Sequence, residues 1–489
     1  MDLEAYFRPF RHNIIGQDLV FQTPFGPKKM IYADWIASGR LYRPIEQILT
    51  DQIGPFVGNT HAETSENGKL MTLAYKMAHR KIKEAVHASQ DDVILTTGYG
   101  MTGAVVKFQR ILGLKQSGRE EVSRFPDEES RPVVFITHME HHSNHTSWYE
   151  TDADVVVIPP GPDLVMDLGN LEQELIRYGN RKVKIGSFTA CSNVTGIRTP
   201  YHRMARLMHE HGGLAFIDFA ASAPYDAIDM HPADPMEKLD AIFFSPHKFL
   251  GGPGSSGVLI FDSGLYHSEA PDEPGGGTVD WTNRWGEYKF IDDIEVREDG
   301  GTPGFLQAIK AALALELKQN LGTENMRLRE KQLVDRAFKE LRKIPGLHIL
   351  ADHIDDRLGV ISFYITDVHY NLVVRLLSDR YGIQVRGGCA CAGTYGHYLL
   401  DVSYEKSKTI TTKINFGDLS EKPGWVRLSL HPVMTDEEVD QILDAIRQIA
   451  VHFREWSEDY LYDKHKNEFS YKHNVPGLTD VTAWFDLKQ

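Results

Sequence analysis

The sequence predicts an α/β protein: a mainly parallel sheet flanked by helices, followed by a smaller α+β domain. Three observations carry this. Between residues 133 and 262 short β-branched runs alternate with helical stretches, the pattern of repeated βα units. The stretch ILTTGYGMTGAVVKFQRILG (94–113) reads as strand, glycine-rich turn and helix. At residues 298–304, EDGGTPG interrupts the chain ahead of a strongly helix-forming segment.

Taken in order, residues 1–20 are an N-terminal arm, 21–304 a large domain and 305–489 a small one. Residues 118–131 are charged and read as a surface loop. The strands are VVFIT, VVVIP, VKIGSFTA, LAFID, AIFFS and GVLIF, with a helix around RMARLMHEHG. FLQAIKAALALELKQNLG opens the small domain and ends on a glycine stop. Beyond it, LGVISFYI, YGIQVR and WVRLSL are strands, while VVRLLSDRYG and DEEVDQILDAIRQIAVHFREW are amphipathic helices.

Composition narrows the functional class. The 489 residues are 42% hydrophobic and carry a formal charge of −15, so a phosphate backbone would be repelled and nucleic acid is not an expected partner. No apolar run approaches the roughly 20 residues of a membrane span, and the opening MDLEAYFRPF is unlike a secretory leader; a cytoplasmic location is expected. Three cysteines are too few for a disulfide framework, so reduced thiols are the default.

In α/β sheets ligands gather beyond the carboxyl ends of strands. There this sequence has Asp218 after LAFI, Ser245-Pro246-His247-Lys248 after AIFF, and Cys191-Ser192-Asn193 after VKIGSFTA. A lysine, a carboxylate and an amide at strand ends fit pyridoxal 5′-phosphate. Lys248 would bind the cofactor aldehyde, Asp218 would keep the ring nitrogen protonated and Asn193 would hydrogen-bond the phenolic oxygen. Met101 and Thr102, at the helix start after the glycine turn, would hold the phosphate with Ser245 and His247. Taken singly, Lys248 also reads as a surface lysine and Asp218 as a helix cap.

Four histidines in THMEHHSNHTSW invite a zinc reading. The favoured one is that His141 stacks on a planar ring while the others are ordinary loop residues, with no metal. RGGCACAG places Cys389 and Cys391 on a glycine-rich loop, suited to a thiol nucleophile or simply to a tight turn of small residues. Arg427, a charge inside WVRLSL, fits either a clamp on a substrate carboxylate or an internal ion pair.

Five ordered motifs resemble the class V aminotransferase family over nearly the whole chain, and within it the cysteine desulfurase and selenocysteine lyase branch. MEHHSN resembles MEHHAN, SNVTGI resembles SNVLGT, and SPHK resembles S-G-H-K. EDGGTPG resembles E-A-G-T-P, and VRGGCACAG resembles V-R-T-G-H-H-C-A. The resemblance implies a fold type I homodimer whose large domain holds a mainly parallel seven-stranded sheet. It implies catalytic roles for Lys248, His141 and Cys391, the last being the sulfur acceptor. Arg427, Arg386 and Asn193 would contact substrate, and Thr278 would reach the phosphate of the neighbouring subunit. The implied reaction takes L-cysteine to L-alanine with sulfur left on Cys391 as a persulfide, then passed to an acceptor protein. Other class V chemistry on a small amino acid, by an aminotransferase, epimerase or lyase, is the alternative. Three features depart from the pattern: Ala221 stands where the family has Gln, a polar segment lengthens 395–425, and Cys389 adds a second thiol.

Overall fold

The computed structural model describes residues 2–60, 63–115, 125–473, 475 and 481–487; residues 118–124 of the expected surface loop lie outside these. The chain divides into two compact units. A sheet unit comprises Ala37–Ser192 and Ile197–Glu324; a cysteine unit comprises Met1–Ile36, Asn193–Gly196 and Asn325–Gln489.

The sheet unit is built on seven strands: β1 (Asp92–Thr97), β2 (Val133–Thr137), β3 (Asp154–Ile158), β4 (Lys184–Thr189), β5 (Leu214–Asp218), β6 (Ala241–Phe244) and β7 (Gly257–Asp262). Their spatial order is β1-β7-β6-β5-β4-β2-β3. Strands β2 to β6 run parallel, while β7 lies antiparallel to both β1 and β6. A sheet covered on both faces needs apolar side chains at every position, and β7 shows this: Val258 and Ile260 join one core, Leu259 and Phe261 the other. Each such side chain contributes roughly 1.5–3 kcal/mol by leaving water.

The reading of residue 305 as the start of the small domain meets a different packing. Helix Phe305–Leu321 buries Ile309, Ala312 and Leu315 in the core that also holds Ala78 and Ile82 of helix Glu66–Ala85. Its alanines let the backbone approach closely, so the division falls after Glu324. The arm at the other end belongs with the cysteine unit: Glu4 accepts from the Asp436 amide at 2.9 Å and ion-pairs with Arg329.

The cysteine unit holds a four-stranded antiparallel sheet in the order Leu347–Ile349, Val360–Ile365, Trp425–Ser429, Arg386–Gly388. Helix Asp436–Trp456 starts at a capping box between Thr435 and Glu438 and buries Val439, Ile442, Leu443, Ile446 and Ile449 along one stripe. Helix Tyr370–Tyr381 stops at Gly382, whose left-handed φ of 76° turns the chain into Ile383–Gln384. The polar 395–425 segment forms helix Tyr404–Asn415, in which Ile410 is buried.

Candidate functional site: a cofactor cradle and a cysteine turn

Four of the expected cofactor residues meet at one edge of the sheet unit. Helix Met101–Ile111 begins directly after Gly100, whose φ is +137°. A Cβ there would lie 2.9 Å from Ser245 Oγ and 3.0 Å from His247 Cε1, so glycine is what lets the turn approach the loop after β6. The Met101 amide donates to Ser245 Oγ at 2.8 Å, and Thr102 Oγ1 lies 2.6 Å from Ser143 Oγ. Beside this turn opens a cavity of about 630 Å³ lined by Thr97, Gly98, His247, Ser256, Thr302 and Gln307. A helix start, hydroxyls and an imidazole form an anion-binding set. Burial, reinforced by the neighbouring Lys248 charge, holds the His247 imidazole down to about 4, so it is neutral at pH 7.

Asp218 ends β5 and is 3% exposed; one oxygen accepts the Ala220 amide at 2.8 Å. Burial pushes its carboxyl from 3.8 up to about 6, against the pull of that amide and of Lys248. Lys248 closes the short 3₁₀ turn Pro246–Lys248 after β6 and is partly buried.

The histidines have separate partners. His138 is buried against Leu164 O, and His145 lies 3.3 Å from Tyr149 OH. His141 caps helix His142–Tyr149, its Nδ1 accepting the Ser143 amide at 3.1 Å. That bond leaves the ring proton on Nε2. Among the described residues no three His, Cys, Asp or Glu side chains are grouped to hold a metal.

Beneath His141 lies a residue the sequence reading passed over. Glu140 is 1% exposed and accepts from Thr137 N and Oγ1, Thr189 N and Asn144 Nδ2, at 3.2, 2.7, 2.8 and 2.8 Å. It ties the His141 loop to β4, where Thr189 pairs in register with Asp218. Burial pushes its carboxyl up to about 8 in spite of these donors. A carboxylate within THMEHH, directly after the apolar strand residues VVFI, was the available signal.

Arg427, Arg386, Asn193, Cys389 and Cys391 all lie in the cysteine unit. Arg427 is 4% exposed; its guanidinium donates to Asp34 Oδ1 at 3.0 Å and to Asn193 O at 3.2 Å. Asp34 Oδ2 in turn accepts Arg386 Nε at 3.1 Å. The buried guanidinium therefore has its counter-ion inside the protein, as a buried charge requires, while its Nε has no hydrogen-bond partner among the described residues. Asp34, the lone acid of IYADW, is a second residue that sequence reasoning missed. Asn193, expected at the phenolic oxygen, here donates its amide to Ala390 O at 2.7 Å. Ala390 and Cys391 have φ of 50° and 57°, and Ala392 N donates to Cys389 O at 3.1 Å. A left-handed conformation costs each such residue roughly 1–2 kcal/mol. Cys391 is exposed, Cys389 half-buried and Cys191 buried.

Residues 31–442 match the family described as Aminotransferase class-V. The chain belongs to that family. Among its relatives, a probable cysteine desulfurase of Staphylococcus epidermidis is 28% identical over 439 residues, covering 89% of this chain and 95% of that protein. One of Halalkalibacterium halodurans is 29% identical over 373 residues, covering 74% and 84%. The solved cysteine desulfurase of Thermococcus onnurineus NA1 superposes with a TM-score of 0.72 at 21% identity, over 91% of this chain and 98% of that one. That of Escherichia coli gives 0.68 at 22%, over 92% and 98%. The fold is that of the pyridoxal phosphate-dependent type I enzymes.

Class-V aminotransferases are pyridoxal phosphate enzymes, and the sheet unit fits that group. The helix start, Ser245 and His247 suit a phosphate. Asp218, a buried carboxylate raised by desolvation, suits a protonated ring nitrogen that would restore its counter-charge. Two further residues of the sheet unit bear on that group. Thr278, expected to reach a neighbouring subunit's phosphate, is fully buried, its hydroxyl donating to Gly275 O at 2.7 Å and accepting Gly275 N at 3.2 Å. Ala221 is buried and brings no polar atom where the family has an amide.

The raised Asp218 carboxyl has a stability consequence. Between pH 4 and 6 the folded, cofactor-free protein keeps a proton that the unfolded chain releases. Asp218 therefore costs stability progressively as pH rises through that window, to roughly 3 kcal/mol above it. In cofactor-free protein Asp218→Asn is expected to exceed wild type by little at pH 4 and by about 3 kcal/mol above pH 6. Urea unfolding at the two pH values measures this; a pH-independent difference contradicts it.

Proposed function

We propose that this chain is a cysteine desulfurase that converts L-cysteine to L-alanine and carries the sulfur away on Cys391. The observation that carries the reading is the exposed Cys391 thiol in a tight, left-handed turn directly after the strand Arg386–Gly388. An exposed thiol on a strained turn suits nucleophilic work and contributes little to packing. The probable cysteine desulfurases among the relatives support the same reading.

Pyridoxal phosphate, when bound, supplies an electron sink for negative charge at a substrate's α-carbon. Lys248 would hold the cofactor and move the α-proton through Nζ. Asp218, ionised at pH 7, would pair with the ring nitrogen, and neutral His247 with Ser245, Met101 and Thr102 would hold the phosphate. His141, with its proton on Nε2, would stack on the ring. Arg427, with Arg386 and Asn193 in the same unit, would meet the substrate carboxylate. The Cys391 thiolate attacks the substrate sulfur, an S–S bond forms, the C–S bond breaks, and a proton completes the methyl group of alanine. The reading carries with it a homodimer, a cytoplasmic location and a protein acceptor for the sulfur.

Incubating the loaded enzyme with L-cysteine and a thiol reductant tests this. Alanine and sulfide are expected in equal amounts, and without reductant the peptide bearing Cys391 gains one sulfur atom. Cofactor bound with neither product formed would move the search to other class-V reactions. A preference for selenocysteine over cysteine would identify a lyase of that substrate.

A further inference from the structure

The turn at residues 389–392 is closed by the Ala392 amide on Cys389 O at 3.1 Å, with positive φ at both central residues. This is the pattern of a type I′ turn, which favours Asn-Gly because other side chains are strained there. Ala390 and Cys391 lack that dispensation. Such strain persists only where the surroundings over-determine it.

Asn193 is the element that does so. Its amide donates at 2.7 Å to Ala390 O, the carbonyl of the peptide that joins the two strained residues. The donor is itself fixed: Asn193 is 7% exposed, and its own carbonyl accepts Arg427 Nη1 at 3.2 Å. The adjoining Val194 O accepts Ser362 Oγ at 2.6 Å. Thr195 Oγ1 lies 3.3 Å from Tyr395 OH, just past the turn. This web draws Asn193–Gly196 into the cysteine unit, although the segments on both sides of it belong to the sheet unit.

We propose that Asn193 is a latch: it holds the turn at residues 389–392 in its left-handed conformation and so sets the position and reactivity of the Cys391 thiol. Asn193 is thus a positioning residue for sulfur transfer, a consequence that rests on the desulfurase reading, whereas the latch itself does not. Without the hydrogen bond, the peptide between Ala390 and Cys391 is free to rotate, both residues relax to negative φ, and the thiol samples a wider, more accessible range.

The test is alkylation of the full-length, cofactor-loaded protein by iodoacetamide without substrate, with the rate at each cysteine read by mass spectrometry. Asn193→Ala is expected to speed alkylation of Cys391 about three- to tenfold, the scale of one hydrogen bond. Asn193→Asp, which keeps the side-chain shape but has no N–H to give, is expected to do the same. Buried Cys191 stays protected in both and reports any general loosening. Adding Ala390→Gly to Asn193→Ala, which relieves the strain, is expected to bring the Cys391 rate back toward wild type. An unchanged Cys391 rate, a rise that glycine does not reverse, or parallel labelling of Cys191 overturns the proposal. Because no cysteine substrate is present, failure of the desulfurase reading leaves this outcome unaffected.

Discussion

In Cys391→Ser, sulfide and persulfide formation from L-cysteine is expected to fall on the order of 10³-fold or more, the scale on which loss of a nucleophile registers. Serine occupies nearly the same volume, and Cys391 is exposed, so neither the turn nor the surrounding sheet has reason to change. A hydroxyl, however, is far less nucleophilic toward sulfur than a thiolate. Cofactor absorbance should therefore survive while the sulfur products vanish. Cys389→Ser gives the matched comparison two residues away, with a half-buried thiol. Residual sulfide in Cys391→Ser that disappears in the double variant would transfer the acceptor role to Cys389. An unaffected rate in every variant would point to chemistry that needs no thiol, such as transamination.

Lys248→Ala is expected to act earlier. On the proposed mechanism it removes both the amine that would bind the cofactor and the base at the α-carbon, so the visible absorbance of lysine-bound cofactor should be lost, with turnover down roughly 10²–10⁴-fold. The fold should persist, because Lys248 ends a short 3₁₀ turn and is absent from both cores of the sheet. Its loss also removes the charge that restrains the Asp218 carboxyl, which should then titrate higher still. Difference spectroscopy and alanine release measure the two effects. Full turnover in the variant would remove Lys248 from the mechanism.

Much of the architecture is legible along the chain because its cause is local. The strands of the sheet unit are short apolar runs bounded by polar or glycine residues, and their alternation with helices requires parallel pairing. The antiparallel entry of β7 between β1 and β6 is not, since a fully apolar strand reads alike in either direction. The helix Phe305–Leu321 shows the same limit. Its composition announces a helix but not the unit in which its alanine face is buried.

The site divides on the same line. Lys248, Asp218, Ser245 and His247 are visible in the sequence because chemistry-bearing residues stand directly after strands, and strand ends are where such sheets bind ligands. By itself, then, the sequence determined the sheet, the class of cofactor and the thiols. Tertiary structure decided that Arg427 pairs with Asp34, 393 residues away, and that Asn193 holds Ala390, 197 residues on. It also decided that Glu140 is buried beneath the His141 loop. The physical reason is range. Periodicity and turn chemistry act over a few residues, whereas the partner of a buried charge or amide is whichever group the completed fold brings within hydrogen-bonding distance.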